Sequence, residues 1–393
     1  MIQKSLQNII SSDFDPENLK KSSGSNFSFA KNDTELRRVL PEDSENLLVI
    51  TGMDVVKEMF DSLGIYEEAN VIKTENPSYH RVNIISKWVN DNSIDKIMGF
   101  GGGTVIDVSK RVSFESRIGE SIKEGEVNPR YIAVPTVGSH DGPFSSGSSL
   151  YDHGIDTDKQ EINVFRKSEL ANAASEVVIP VHYWEKAPKD LRLGGIMDVL
   201  GNITALQDVS LAKSRNKFDD RDFREYESSS AYSVLLMREY LQSKDFEKLA
   251  NSIMFSGLAM RSELGSVFAS GFEHELERFI RDICEIEERH GKVVGFSSLI
   301  SAKLYQKNAE RFSDLDLYFD PSELYPRFLK LIKEVVDGDE DFFSDLFFEL
   351  KRTDHELTSL RNLRPRYTLR RELDLNEINL NKILEEIQSD LET

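Results

Sequence analysis

Apolar residues in the first half of the chain come in short bursts separated by stretches of helical period. Leu47–Ile50 is one such burst, ending at Thr51–Gly52, and Val55, Val56, Met59 and Phe60 follow at helix spacing. Ser78 to Asn90 repeats the helical period, and Lys96–Ile97–Met98–Gly99–Phe100 returns to a strand-like run. Arg130 to Pro135 is a third run and leads into a turn-rich segment, Thr136 to Ser149. Asp152 to Gln160 is polar and predicts a loop or hairpin tip, with a strand resuming over Glu161–Val164. Val177–Pro180 is the last strand-like run. Strand, helix and strand at this spacing predict a parallel sheet with covering helices.

After Lys186–Ala187–Pro188 the pattern becomes helical and stays so. Val199, Ile203 and Leu206, then Phe255, Leu258 and Ala259, then Phe328, Leu331, Ile332 and Val335 recur three and four apart. Beyond residue 190 the only prolines are Pro321, Pro326 and Pro365. The second half is therefore expected to be all-helical, with a charged loop or helix end over Lys213 to Ser230. The division is an α/β domain over 1–185 and an all-α domain over 186–393, and 393 residues suffice for two separate cores.

Charge narrows the partners. With 49 basic and 69 acidic side chains the net charge is −20, which disfavours nucleic acid and anionic membrane, both of which need a positive face. The lone cysteine, Cys284, has no internal partner, so the fold does not rely on an oxidising compartment. Met1 to Asp33 is polar and serine-rich, without the apolar stretch of a signal peptide, and no run approaches the roughly 18 apolar residues of a membrane span. A cytoplasmic protein is the expectation. Oligomeric state leaves no mark in the pattern, and a homo-oligomer is compatible with it.

Two constellations carry candidate chemistry. In the first, Phe100–Gly101–Gly102–Gly103–Thr104–Val105–Ile106–Asp107–Val108–Ser109–Lys110 follows a strand and opens a helix. Glycines let the backbone approach a pyrophosphate, and the N–H groups of a first helical turn favour anionic oxygens. Alone, a triple glycine after a strand reads equally well as a tight turn, and it is not the G-x-G-x-x-G fingerprint. The adjacent Ser139–His140–Asp141 is no hydrolase triad, because neighbouring residues cannot aim their side chains into one relay. In the second, Asp198 lies among small and apolar residues at a helix start, where a buried carboxylate needs a partner. His274 and His290 lie 16 residues apart. Each histidine taken singly reads as a capped or surface residue.

Gly-Gly-Gly-x-x-x-Asp-x-x-Lys over 101–110 resembles the phosphate-binding loop of the glycerol dehydrogenase and dehydroquinate synthase superfamily, whose members join a nucleotide domain to a helical metal domain. Pro135–Thr136–Val137–Gly138–Ser139–His140–Asp141–Gly142 is similar to a turn of sn-glycerol-1-phosphate dehydrogenases. So is Gly195-x-x-Asp198-x-x-x-Asn202-x-Thr204–Ala205, then Gly271-x-Glu273–His274, then His290–Gly291. Arg364–Pro365–Arg366–Tyr367–Thr368–Leu369 is similar to an Arg-Tyr-Thr-hydrophobic segment near that family's C-terminus.

The resemblance implies a Rossmann-like domain binding NAD or NADP and an all-α domain binding one divalent ion. It implies Asp198, His274 and His290 as metal ligands, a set that suits zinc best and also takes nickel or iron. It implies that Gly101, Gly102, Gly103, Thr104, Val105, Ile106, Asp107, Thr136, Ser139 and Ser145 meet the dinucleotide. Asp141 and Arg278 would face a small phosphorylated triose or polyol. A continuous helix would hold the two histidines about 24 Å apart, so a chain reversal is required between Asp282 and Arg289, a stretch without Gly or Pro.

The sequence departs from the family at Arg278, where a second histidine is usual. Arginine can bind phosphate bidentately but cannot exchange protons near neutral pH. The Gly194–Gly195–Ile196–Met197 run also departs from the small-residue run usual there. Gly52 stands where an acidic residue would claim a ribose hydroxyl, leaving NAD and NADP both open. No residue in these motifs is an obvious general acid, so a water or substrate-hydroxyl relay is expected. The same architecture also serves dehydrogenases of unphosphorylated polyols and sugar-phosphate cyclases of the dehydroquinate synthase kind. The cyclases usually begin their ligand set with a glutamate, against Asp198 here.

Overall fold

The computed structural model describes residues 2–41, 46–52, 70–116, 130–155, 161–217, 223–284, 286, 288–337, 340–352, 368–373, 375 and 377–393. The helix expected around Val55 to Phe60 lies outside them, as do Arg364 to Tyr367. The chain divides into two compact units, Pro16–Pro188 and a second formed by Met1–Asp15 with Lys189–Thr393.

The strands are β1 (Asn26–Ala30), β2 (Leu47–Thr51), β3 (Asn70–Lys73), β4 (Lys96–Gly101), β5 (Arg130–Pro135), β6 (Gly147–Ile155), β7 (Glu161–Leu170) and β8 (Glu176–Pro180). Six of them form one parallel sheet in the order β1-β8-β5-β4-β2-β3, and β6 and β7 pair antiparallel. The middle of the sheet is buried on both faces, with every residue of β2 buried and β4 and β5 buried beyond their first residue. That double burial is why they read as unbroken apolar runs. β1 and β3 are the edges, and neither stood out in the pattern: β3 is mostly exposed and β1 is only partly buried up to Ala30.

The helices are α1 (Ile2–Ile9), α2 (Pro16–Ser22), α3 (Asp33–Val39), α4 (Tyr79–Asp91), α5 (Gly103–Glu115), α6 (Val181–Lys186), α7 (Lys189–Ser214), α8 (Arg224–Ser243), α9 (Phe246–Ala259), α10 (Phe272–Arg278), α11 (His290–Lys307), α12 (Pro321–Val336), α13 (Ser344–Arg352) and α14 (Leu380–Glu392). Ser78 caps α4 by accepting from the Arg81 N–H at 3.1 Å. In the chain order, β2 leads to β3 on one side and β4 leads to β5 on the other. The sheet thus reverses direction between β2 and β4, and in such sheets ligands bind outside the carboxyl ends of the strands at that reversal. Thr51 and Gly101 end those two strands, and Thr51 Oγ1 donates to the Phe100 carbonyl at 3.0 Å.

The second unit carries no named strand among its described residues. The segment from Lys213 to Ser230, expected to be a charged loop or helix end, holds the end of α7 at Ser214 and is helical again from Arg224, with Glu227 to Ala231 buried. The residues buried in its first turns are Glu227, Ser228, Ser229, Ser230, Ala231 and Ser233, nearly all polar, so an apolar period could not reveal where it starts. Asn202 of α7 donates to Ser233 at 2.9 Å and to Ser256 of α9 at 3.0 Å, which ties three helices together through this polar core. Among the described residues no helix is long and apolar enough to cross a membrane.

Candidate metal centre

Three helices of the second unit meet at one point, and glycines set how closely. α7 is buried without a break from Leu193 to Ala212. Asp198 is 2% exposed and lies well inside α7, which starts at Lys189 directly after Pro188; it is not at a helix start as the sequence suggested. α11 crosses α7 at glycine. A Cβ on Gly291 would stand 2.0 Å from the Gly194 carbonyl oxygen, and one on Gly295 would stand 2.7 Å from Met197 Sδ. Side chains have no room between those backbones, so His290, the first residue of α11, is brought onto Asp198. The Gly194–Gly195–Ile196–Met197 run thus has a packing reason.

His274 stands on α10, a helix of seven residues. Gly271 precedes it because a Cβ there would meet Asp208 Oδ2 at 2.5 Å and Ala205 Cα at 2.9 Å. After Arg278 the chain widens into a π-type turn over Phe279–Ile283, in which Cys284 N–H donates to the Phe279 carbonyl at 2.9 Å and Ile286 N–H to Ile280 at 3.2 Å. α11 then begins at His290, so the two histidines stand on separate helices and not on one continuous helix.

The ligand geometry follows. Asp198 Oδ1 lies 3.6 Å from His274 Nε2 and 3.3 Å from His290 Nε2, and the two rings are 5.4 Å apart. One ligating atom from each residue falls within 4.8 Å of the others. Donors about 2.0–2.2 Å from a tetrahedral zinc stand roughly 3.3–3.6 Å from each other, so both carboxylate–imidazole spacings fit a shared ion. Three protein donors leave a tetrahedral position for water or a substrate oxygen.

Behind the ligands stand two glutamates that sequence reasoning missed. His274 Nδ1 faces Glu273 Oε1 at 3.0 Å, and His290 Nδ1 faces Glu277 Oε1 at 2.9 Å. Both glutamates are 0% exposed. Each carboxylate keeps the proton on Nδ1 and leaves Nε2 as the metal-facing atom. Glu273 is further held by Thr204 Oγ1 at 2.9 Å, and Glu277 by Arg281 Nη1 at 3.0 Å. The clue was three glutamates, at 273, 275 and 277, on one short helix that also had to be buried.

Burial works against every charge here, and the neighbours overcome it. Burial alone would raise the Asp198 carboxyl, but the charge of His290 and hydrogen bonds from both imidazoles hold it well below the usual carboxylate range. Burial disfavours a charged His274, yet bonds to Asp198 and Glu273 raise it to about 10. His290 is raised as well, against burial, by Glu277 and Asp198. Three buried carboxylates around two imidazoles demand positive charge, and a divalent ion supplies it with a fitting donor set.

Arg278 is one turn beyond His274, and both are partly exposed, so they share a side of α10.

In the other unit, Gly101 ends β4 and Gly102 precedes α5 with no side chain capping it. The first-turn N–H groups of α5 are therefore not claimed by a capping side chain. Thr136 N–H donates to the Gly101 carbonyl at 3.1 Å, setting the Thr136–Asp141 turn beside the glycines. A Cβ on Gly103 would meet His140 Nε2 at 2.7 Å, and Gly142 N–H donates to His140 Nδ1 at 3.0 Å. Thr104, Asp107, Thr136 and Ser139 are partly exposed, whereas the side chains of Val105 and Ile106 are buried. Asp141 is buried and precedes a single 3₁₀ turn, Gly142–Phe144.

Lys110 differs from what its place in the motif suggests. It is fully buried and donates to the carbonyls of Gly142 and Gly147 (2.7 Å for the latter) and to Ser145 Oγ at 3.1 Å. It ties the 142–147 turn to α5 from inside, and Ser145 Oγ takes part in that tie.

Against known proteins, the iron-containing alcohol dehydrogenase family matches residues 28–174. A glycerol-1-phosphate dehydrogenase [NAD(P)+] of Pyrococcus horikoshii is 29% identical over 268 residues, 66% of this chain and 68% of that protein. Its counterpart in Methanococcus maripaludis is 26% identical over 367 residues, 88% of this chain and 93% of that one. The structure of a probable glycerol dehydrogenase from Sinorhizobium meliloti superposes with a TM-score of 0.59 at 15% identity, covering 94% of this chain and 97% of that one. The chain is thus similar to the iron-containing alcohol dehydrogenase family over residues 28–174 and to glycerol-1-phosphate dehydrogenases over 66–88% of its length.

Its architecture, a six-stranded parallel sheet followed by a helical region, is shared with the Sinorhizobium meliloti structure. The matched stretch, 28–174, holds the glycine loop, while Asp198, His274 and His290 lie beyond it and are supported by their own geometry. A sulfoacetaldehyde reductase of Bifidobacterium kashiwanohense, solved with NAD+, shares the fold with a TM-score of 0.57 at 16% identity over 94% of this chain and 97% of that one.

Proposed function

We propose that the protein is a metal-dependent NAD(P)-linked dehydrogenase that interconverts dihydroxyacetone phosphate and sn-glycerol 1-phosphate. The observation that carries this reading is the Asp198–His274–His290 cluster with a buried glutamate behind each imidazole. The substrate class is drawn from the named relatives, which are glycerol-1-phosphate dehydrogenases.

In this reading Asp198, His274 and His290 hold zinc, nickel or iron, whose Lewis acidity polarises the ketone oxygen. Glu273 and Glu277 keep the two imidazoles in the tautomer and orientation that binding requires. The glycine loop, Gly101–Gly103, and the first-turn N–H groups of Thr104, Val105 and Ile106 bind the pyrophosphate. Asp107, Thr136 and Ser139 line the dinucleotide, and Ser145 supports the same turn. Asp141 orients the substrate hydroxyl, and Arg278 takes its phosphate, for which a planar fork of donors is suited. A bound reduced nicotinamide would supply the hydride for the ketone carbon, with the oxygen's proton drawn from water or a substrate hydroxyl. Alcohol oxidation is the reverse. The reaction suits a cytoplasmic enzyme whose one cysteine, Cys284, needs no partner.

The test is oxidation of NADH and NADPH with dihydroxyacetone phosphate, before and after chelation and after zinc is restored. Turnover that survives complete metal removal contradicts the proposal. Equal turnover with unphosphorylated dihydroxyacetone contradicts the phosphate role of Arg278.

A further inference from the structure

α10 presents glutamates in two directions. Glu273 and Glu277 face the imidazoles, whereas Glu275 faces the C-terminal segment. Glu275 Oε2 accepts from Arg370 Nε at 3.2 Å and from Thr368 Oγ1 at 3.2 Å. The Glu275 and Arg370 side chains are 8% and 5% exposed, so their attraction is little screened by water.

Between those two residues, Leu369 N–H donates to Asp208 Oδ1 at 3.0 Å. The other oxygen of Asp208 accepts from Phe272 N–H, the first amide of α10, at 2.6 Å. Tyr305 of α11 donates to Asp208 Oδ1 at 2.6 Å. Asp208 therefore joins α10, α11 and the C-terminal segment through one carboxyl. Two residues later, Glu372 pairs with Arg215 through two contacts, at 3.3 and 3.1 Å, just beyond the end of α7.

A helix of seven residues does not hold itself in water. Its place is set by what grips it, and on this side the grip comes from residues almost a hundred positions away in sequence. We propose that residues 368–372 form a strap that positions α10, with Arg370 and Thr368 acting through Glu275 to keep His274 opposite Asp198. Arg370 and Thr368 are positioning residues, since neither is among the groups that would touch ion, dinucleotide or substrate.

The part concerning the ion rests on the metal reading above, so the test has an arm that does not. Hydrogen exchange of the α10 amides is followed in chelated protein, and zinc affinity is measured separately by competition with a chromogenic chelator. In Arg370→Met, exchange over 273–279 is expected to speed up by roughly ten-fold or more while α9 is unchanged. Zinc affinity per folded molecule falls by roughly 10–100-fold, the range for lost outer-shell support. Arg370→Lys, which keeps the charge on Glu275, restores most of both. Thr368→Val removes one hydrogen bond and gives a milder loss, about 5-fold, in case Arg370→Met folds poorly. Unchanged α10 exchange in both Arg370→Met and Thr368→Val overturns the strap. A strap that only adds global stability would lower the melting temperature and speed exchange in α9 as much as in α10, and that outcome also overturns it. Should wild-type protein take up no zinc, the metal reading fails and α10 exchange alone decides the strap.

Discussion

The glycine loop of the α/β unit offers backbone N–H groups, whereas the centre of the helical unit offers buried charged side chains. The first is built from consecutive residues, Gly101 to Ile106, and needs little beyond a strand, a turn and an uncapped helix start. The second draws Asp198, His274 and His290 from three helices and depends on Glu273 and Glu277 behind them. A backbone site tolerates side-chain changes until a Cβ intrudes. A charged site is sensitive to each carboxylate that balances it.

Substitutions can break or sharpen that contrast. Gly291→Ala places a methyl group 2.0 Å from the Gly194 carbonyl oxygen, with backbone on both sides. It is expected to cost about 3 kcal/mol or more and to abolish ion uptake, as read by denaturant unfolding and metal analysis. Lys110→Met strips two carbonyls and Ser145 of a buried charged donor. It should cost about 3 kcal/mol while leaving zinc affinity of the folded protein unchanged; a loss of zinc would break the separation between the two regions.

Glu277→Gln keeps the shape but removes the charge behind His290. Zinc affinity should fall roughly 10–100-fold with little change in nucleotide binding, both measurable by titration calorimetry. Gly103→Ala meets His140 Nε2 at 2.7 Å, a partly exposed ring that can shift. The expected cost is about 1 kcal/mol, with weaker dinucleotide binding that the second change His140→Ala restores. If that pair does not recover, the ring is not what Gly103 makes room for.

The same contrast explains what could be read from the chain. Strands β2, β4, β5 and β8 were legible because central strands are apolar without interruption, whereas edge strands β1 and β3 were not. The start of α8 was hidden because the residues buried in its first turns, from Glu227 to Ser233, are nearly all polar. Asp198, His274 and His290 could be named from motif context, and the structure brings their ligating atoms together. Glu273 and Glu277 could not, since an acidic residue beside a histidine is ordinary on a surface helix and meaningful only once the helix is buried. The inward course of Lys110 was not legible either, since its ammonium is held by carbonyls of a turn more than thirty residues away. A break between the two histidines was required by distance, and the structure places them on separate helices, α10 and α11.

The most direct measurement is the metal content of protein purified from zinc-supplemented medium, wild type against His290→Ala, with folding checked by circular dichroism. The account predicts about one divalent ion per wild-type chain and almost none in the folded variant. A folded His290→Ala protein that retains its ion in full, or a wild type that binds none at micromolar zinc, contradicts it.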